Sequence, residues 1–358
     1  MDSNVRAAGK PEAVHTGDDE LAKTPDPDCA ADLMLAEDPS NDPRVRDSGE
    51  RPTETSDGLA RSVDYGAKYG AGSDRALVLG GGGVFFIAWQ VGYLNGLRKR
   101  GVDLTNTQIV VGTSAGALVA SIVSAGKLAS FSREVGMMAK LMGILAPATD
   151  LRPSQLRALK MFSDATDASA DTLRRIGFAA LAAQGESAAS FRRRVGLVLG
   201  VGSNKWPGQS LNIATVDAYT GERLIVTSAA GVSAARAAAA SASVPGLFDP
   251  QPIHDRRCMD GGVSGSGTHS DVVAGASRAV VIALGASIPP EKAWGTMPVG
   301  SLDREMRALA AAGTETLVRG PRKVDSATLM SPKSVPGALA MADEQADDDA
   351  APIGEFWR

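Results

Sequence analysis

The feature that most constrains this chain is the run Ile109-Val110-Val111-Gly112-Thr113-Ser114-Ala115-Gly116-Ala117-Leu118-Val119. An apolar, β-branched stretch meets a small-residue helical stretch, with a G-x-S-x-G pattern at the junction. This is the layout of a nucleophile elbow, a strand that turns sharply into a helix and exposes its junction residue at the strand tip. Gly112 and Gly116 are required because only glycine lets the two backbones approach so closely. Ser114 is the nucleophile such a turn presents. It lies at the first helical turn, where free N–H groups and the positive end of the helix dipole favour the anionic species of acyl transfer.

The rest of the ordered chain reads as strands alternating with helices. Ala76 to Leu79 is a buried strand, followed by four glycines and a helix from about Ala88 to Arg100. Phe131, Met137, Met138, Leu141, Met142 and Leu145 recur at helical spacing, and helices continue through Asp150–Phe162, Ala170–Gln184 and Ala188–Leu199. Leu211–Val216 and Arg223–Thr227 read as a hairpin, and Val232–Ala242 as an Ala-rich helix. Ala279–Leu284 is a further strand, then come a helix over Ser301–Ala311 and a strand over Glu315–Val318. Strands that are apolar throughout, separated by helices, predict an α/β fold with a mainly parallel central sheet covered on both faces.

Charge divides the chain. Residues 1–74 carry a net −9 and residues 342–358 a net −5, which leaves +10 for the body between them. The first 74 residues have too few bulky apolar side chains to offset the entropy of ordering, so a disordered acidic tail is expected there. Within it, Ala31 to Glu37 reads as an isolated apolar stretch, with a short binding helix as the alternative. The catalytic domain is expected over 75–320, with a helical insert at about 128–199, and residues 321–358 as an extension with a flexible acidic end.

Several function classes are excluded. Cys29 and Cys258 are the only cysteines and do not form a metal or disulfide framework, so no metal is expected. The polar, acidic start is no signal peptide, and a cytoplasmic location is expected. Ala76–Leu97 and Leu104–Gly126 have the length of membrane spans. Gly80 to Gly83 interrupt the first, while Asn106, Gln108 and the Thr113-Ser114 turn interrupt the second. No nucleic-acid motif is present. The basic body suits peripheral contact with an anionic membrane.

The glycine run does not fit a dinucleotide loop, since Phe85 or Phe86 stands at the third glycine of G-x-G-x-x-G, and no Gly-Lys-Ser/Thr follows for a P-loop. Consecutive glycines do suit an oxyanion site, because their amides can turn toward one point. Asp260, followed by Gly261 and Gly262, can reach another backbone without Cβ obstruction and is the candidate base. The order Ser114, Asp260, His269 also matches a Ser-His-Asp triad, a second reading of the same residues.

In sum these residues resemble the patatin-like phospholipase family, especially its bacterial members, over about Arg75 to Val318. The resemblance rests on Leu79 to Gly83, the Ser114 elbow, Ser243-Val244-Pro245-Gly246-Leu247-Phe248 and Asp260-Gly261-Gly262. It implies a three-layer α/β/α fold and hydrolysis of lipid acyl esters without a cofactor. It also implies Ser114 as nucleophile, Asp260 as base, and Gly81, Gly82 and Gly83 with the Ala115 amide as the oxyanion hole. The chain departs from the family's G-G-G-x-[R/K]-G pattern, with Phe85 and Phe86 in the last two places. That departure and the long acidic tail leave a degenerate, non-enzymatic lipid-binding protein as another reading, and the triad order leaves a Ser-His-Asp esterase or thioesterase acting on soluble acyl esters. Phe85, Phe86, Trp89 and the Met-rich helix read first as ordinary core, with lining an acyl groove as the alternative.

Overall fold

A computed structural model describes residues 58–358 apart from 132–134, 149, 209 and 288–295. The Ala31–Glu37 segment lies outside the described residues.

The central sheet contains β1 (Arg75–Leu79), β2 (Ile109–Thr113), β3 (Leu211–Asp217), β4 (Arg223–Val226), β5 (Gln251–Ile253), β6 (Arg256–Asp260), β7 (Arg278–Ile282) and β8 (Glu315–Arg319), in the order β5-β6-β3-β2-β1-β7-β8 with β4 also on β3. The pairs β1–β2, β1–β7, β2–β3 and β7–β8 are parallel, and the pairs β3–β4, β3–β6 and β5–β6 antiparallel. The sheet is therefore mainly parallel. Side chains alternate across it as strand geometry demands. Leu77, Leu79, Val110, Ile213 and Ile282 join one core, while Ala76, Val78, Val111, Ala214 and Val281 join the other.

Helices cover both faces. They are α1 (Gly83–Lys99), α2 (Ala115–Ser124), α3 (Val135–Leu145), α4 (Pro153–Ser163), α5 (Ala170–Ala182), α6 (Ala188–Leu199), α7 (Ala234–Ser241), α8 (Ser301–Ala311) and α9 (Val335–Trp357), plus a single turn at Leu128–Phe131. Residues from α1, α2, α7 and α9 build the first core, and Leu309 and Ala312, in and just after α8, close the second.

Three expectations are corrected. Helix α1 begins at Gly83, inside the glycine run, so Phe85 and Phe86 are helical and buried. Phe86 stacks on Trp89, which stacks on Tyr93, with ring centroids 5.7 and 4.5 Å apart. These aromatics are core and do not line the cavities at Ser114; Met138 and Met142 are likewise core.

The N-terminal boundary also shifts. Leu59 is buried, Ala60 bridges to Leu224, and Tyr65 hydrogen-bonds Ser270, so the fold begins before residue 75.

The C-terminal end is not a flexible extension. Helix α9 packs on α1 where Gly92 and Gly96 leave room for Ala342 and Ala346; a Cβ on either glycine would lie 3.0 and 2.8 Å from those methyls. The acids of this segment are engaged with cations of the body. Asp343 and Asp347 pair with Arg100, Asp348 with Arg322, and Asp349 with Arg319 and the Tyr93 hydroxyl. Trp357 closes the end by donating to the Asp103 carbonyl.

Candidate active site

Ser114 stands where β2 becomes α2, with φ 51° and ψ −116°. A non-glycine residue in this region is strained and persists only where its surroundings hold it. Its amide donates to the Ser241 hydroxyl at 2.8 Å, and that hydroxyl donates to the Ala214 carbonyl at 2.6 Å. Ser241 is thus the clamp on the turn. The glycines explain the rest. A Cβ on Gly116 would lie 1.9 Å from the Leu79 carbonyl oxygen, and one on Gly112 would lie 2.7 Å from both the Ala117 Cα and the Gly116 oxygen.

Asp260 reaches this turn through strand register. β2 pairs with β3 up to Thr113↔Ala214, and β6 pairs with β3 from Thr215↔Asp260. Because β4 lies along β3 over Ile213–Val216, β2 and β6 share the remaining edge end to end. Asp260 therefore meets the tip of β2, where Ser114 turns away. Its amide donates to the Ser243 carbonyl at 2.9 Å, which ties the Ser243–Gly246 loop to the same place. Gly261 allows the approach, since a Cβ there would lie 2.5 Å from the Ala214 oxygen.

The Asp260 carboxyl is only 4 % exposed. Burial pushes its pKa up to about 6, opposed by the Ser114 hydroxyl and the Gly262 amide. Oδ1 accepts that amide at 2.8 Å. Oδ2 has no formed hydrogen bond. Ser114 is thus close enough to act on the ionisation of the carboxyl but not aligned in a finished hydrogen bond, a looseness common before substrate is bound.

The glycine loop lies against the serine, as a Cβ on Gly81 would sit 3.1 Å from the Ser114 Cβ. The expected set of amides is corrected at one position. The Gly81 amide donates to the Gly267 carbonyl at 3.3 Å and is turned away from the site. Gly82 caps α1 and Ser114 caps α2, so the amides of Gly82, Gly83 and Ala115 lie at two helix N-termini, the positions that lack intrahelical acceptors. Gly83 has φ 69°, and a Cβ there would meet the Met330 sulfur at 2.6 Å. Phe86 occupies the space beside Gly82, where a Cβ would lie 2.7 Å from its ring, which accounts for a bulky residue being tolerated near this loop.

Histidine plays a different part from that of the triad reading. His269 is buried, with its pKa lowered to about 4 by burial first and Arg223 second. Its Nε2 donates to the Gly261 carbonyl at 3.0 Å and lies 3.3 Å from the Ser264 hydroxyl. Neither Ser114 nor Asp260 is among its partners. It braces the turn that follows Asp260. His254 is exposed and bonds to the Ala230 carbonyl.

Two cavities meet at Ser114. The larger, about 590 Å³, is lined by Gly81, Gly82, Gly83, Ser114, Asp260 and Gly262, by Leu159 and Phe162 of α4, by Leu302 and Glu305 of α8, and by Leu329 and Met330. The smaller, about 60 Å³, is apolar, with Ile87, Leu118, Leu145, Phe191 and Phe248 in its wall. The larger is of the size that holds a small organic ligand, roughly 300–1,000 Å³. Among the described residues no cluster of His, Cys, Asp and Glu is arranged to hold a metal. Ser241, Glu305 and Met330 were not legible as site residues, because a serine ending an Ala-rich helix, a glutamate on an amphipathic helix and a methionine in a loop carry no local signal.

A mainly parallel sheet flanked by helices, with a strained serine at a strand-to-helix turn beside a buried aspartate, defines an α/β class of protein with an elbow site. A family model described as "Patatin-like phospholipase" matches residues 77–273, more than half of the chain, and the chain belongs to that family of lipid acyl hydrolases. Among solved structures it is similar to VipD from Legionella pneumophila, at 14% identity over 89% of this chain and 72% of that one, with a TM-score of 0.35. It is also similar to the type III effector protein ExoU, at 17% identity over 75% of this chain and 53% of that one, with a TM-score of 0.27. No curated protein matches the sequence.

Proposed function

We propose that this chain is a serine-dependent lipid acyl hydrolase in which Ser114 and Asp260 act as a dyad. The observation that carries the reading is the meeting, on the wall of one cavity, of a strained half-buried serine, a buried carboxylate and two glycine-rich helix N-termini. Asp260 takes the Ser114 hydroxyl proton as Oγ attacks the acyl carbonyl. The Gly82, Gly83 and Ala115 amides receive the oxyanion, each such donor contributing about 3 kcal/mol to the transition state. As the tetrahedral adduct collapses, the ester C–O bond breaks and the alcohol leaves with the proton held by Asp260. Water then adds to the acyl-enzyme, giving a proton to the same carboxylate; the second adduct collapses with cleavage of the Ser114 Oγ–acyl bond, the proton returns to Oγ, and the fatty acid departs.

A carboxyl with a pKa of about 6 is ionised at neutral pH and is a stronger base than an ordinary aspartate. Hydrolysis is therefore expected to rise with pH through about 6 and then level. Ser114→Ala is expected to abolish both turnover and labelling by a fluorophosphonate. Labelling that persists in Ser114→Ala would overturn the assignment.

Anionic membrane is the proposed source of substrate. Helix α4 turns Leu156 and Met161, 52 % and 43 % exposed, outward beside the exposed Arg157 and Lys160, while Leu159 and Phe162 of the same helix line the cavity. Apolar insertion next to basic charge suits an anionic bilayer. Co-flotation with vesicles containing phosphatidylglycerol should weaken in Leu156→Asp; flotation indifferent both to that change and to anionic lipid would reject the contact.

A further inference from the structure

Glu305 is a half-buried carboxylate that the dyad does not use. It stands on α8, whose Ser301, Leu302 and Glu305 line the same cavity as Ser114 and Asp260. Its Oε2 accepts hydrogen bonds from the Thr268 and Ser270 hydroxyls, the latter at 3.4 Å. The Ser266 hydroxyl acts on the same carboxylate. A carboxylate offers about four acceptor positions, so three hydroxyls leave room for one more donor, and the residue lines the cavity from which it would come.

The charge has no cation to answer it. Arg223, the nearby guanidinium, is committed to Asp271 through two hydrogen bonds of 2.5 and 2.8 Å and to the Arg61 and Ser62 carbonyls, and no ion pair reaches Glu305 among the described residues. Burial raises the Glu305 pKa, and Asp271 raises it further, against the three hydroxyls of Thr268, Ser266 and Ser270. Holding a loop by three hydroxyls needs only a neutral acceptor, which a glutamine carbonyl would supply without the cost of desolvating a charge. An ionisable group set in a cavity wall under such conditions is where a ligand's donor is expected.

We infer that Glu305 recognises a hydrogen-bond donor, a hydroxyl or an ammonium group, on the alcohol portion of the ester that occupies this cavity. The inference rests on the reading of the cavity as an acyl-ester site. The preferred substrates therefore carry a free hydroxyl or an ammonium group on the alcohol next to the scissile ester.

The test uses ethers, which cannot be hydrolysed, so that it is separate from the fate of the dyad. A long-chain 1-O-alkylglycerol, the matching alkyl 2-aminoethyl ether and the matching alkyl methyl ether are titrated calorimetrically into the full chain and into Glu305→Gln, below their critical micelle concentrations. The wild-type chain is expected to bind the glycerol or the aminoethyl ether at least tenfold more tightly than the methyl ether. Glu305→Gln should reduce that preference about tenfold, the usual scale for a hydrogen bond to a charged group. The ether that loses more identifies hydroxyl or ammonium as the donor. An unchanged preference, or an equal loss for all three ethers, overturns the inference and leaves Glu305 as a brace for the 266–270 loop. A wild-type chain without preference overturns it whether or not the variant folds. Absent hydrolysis with the ether preference intact would instead reject the dyad reading alone.

Discussion

Asp260→Asn is expected to make this protein more stable while removing its turnover. In the unfolded chain the carboxyl ionises near 3.8, and in the folded chain near 6 because burial penalises the charge. Above pH 6 the folded protein holds an ionised carboxylate that the unfolded chain solvates better. Below 3.8 both states are protonated and the difference disappears. The shift of about 2 units corresponds to about 3 kcal/mol of lost stability at pH 8, acquired as pH rises from about 4 to 6. Asparagine keeps an oxygen for the Gly262 amide and places an NH2 where the unpartnered Oδ2 faces Ser114, without charge. Its advantage over the wild type is therefore about 3 kcal/mol at pH 8 and near zero at pH 4. For a chain of 358 residues that is about 4 °C in unfolding midpoint at pH 8. Urea and thermal denaturation of both proteins at pH 4, 6 and 8 measure it directly. A variant that is no more stable at pH 8, or whose gain does not change with pH, would refute the argument that Asp260 is held as a buried, strained base.

Two further outcomes follow from the geometry. Gly116→Ala drives a methyl to within 1.9 Å of the Leu79 carbonyl oxygen, which is backbone and cannot step aside, so a loss of about 3 kcal/mol or more is expected in urea denaturation. His269→Ala removes the bond to the Gly261 carbonyl and is expected to cost about 1–3 kcal/mol of stability while Ser114 still reacts with a fluorophosphonate. Loss of that labelling to the extent seen in Ser114→Ala would reinstate histidine as the base.

The elbow was legible because its chemistry is local. Gly112 and Gly116 are dictated by contacts within eight residues and one neighbouring strand, and the apolar runs at Ala76–Leu79 and Ala279–Leu284 announce parallel strands buried on both faces. The amphipathic helices Ala188–Leu199 and Ser301–Ala311 were readable to the residue for the same reason. Two long-range effects misled. Phe85 and Phe86 stand where the family pattern leads one to expect a basic residue and a glycine, but helix α1 starts earlier and carries both rings into the core. The acids after Ala342 look like a solvated tail, but Ala342 and Ala346 pack against Gly92 and Gly96 of a distant helix, and Arg100, Arg319 and Arg322 pair the acids along its outer side.

What the amino-acid order determined by itself is thus the strained turn at Ser114, the alternation of strands and helices, and the candidates for the site, since each depends on steric and hydrophobic rules acting over a few residues. The folded molecule decided which candidates act together. It sets β6 end to end with β2 along β3, which carries Asp260 across 146 positions to Ser114. It also binds the Gly81 amide to Gly267, confines His269 to Gly261, and opens Glu305 to the cavity. These outcomes depend on register and on which distant group satisfies each buried donor or acceptor, a choice made only when the layers close.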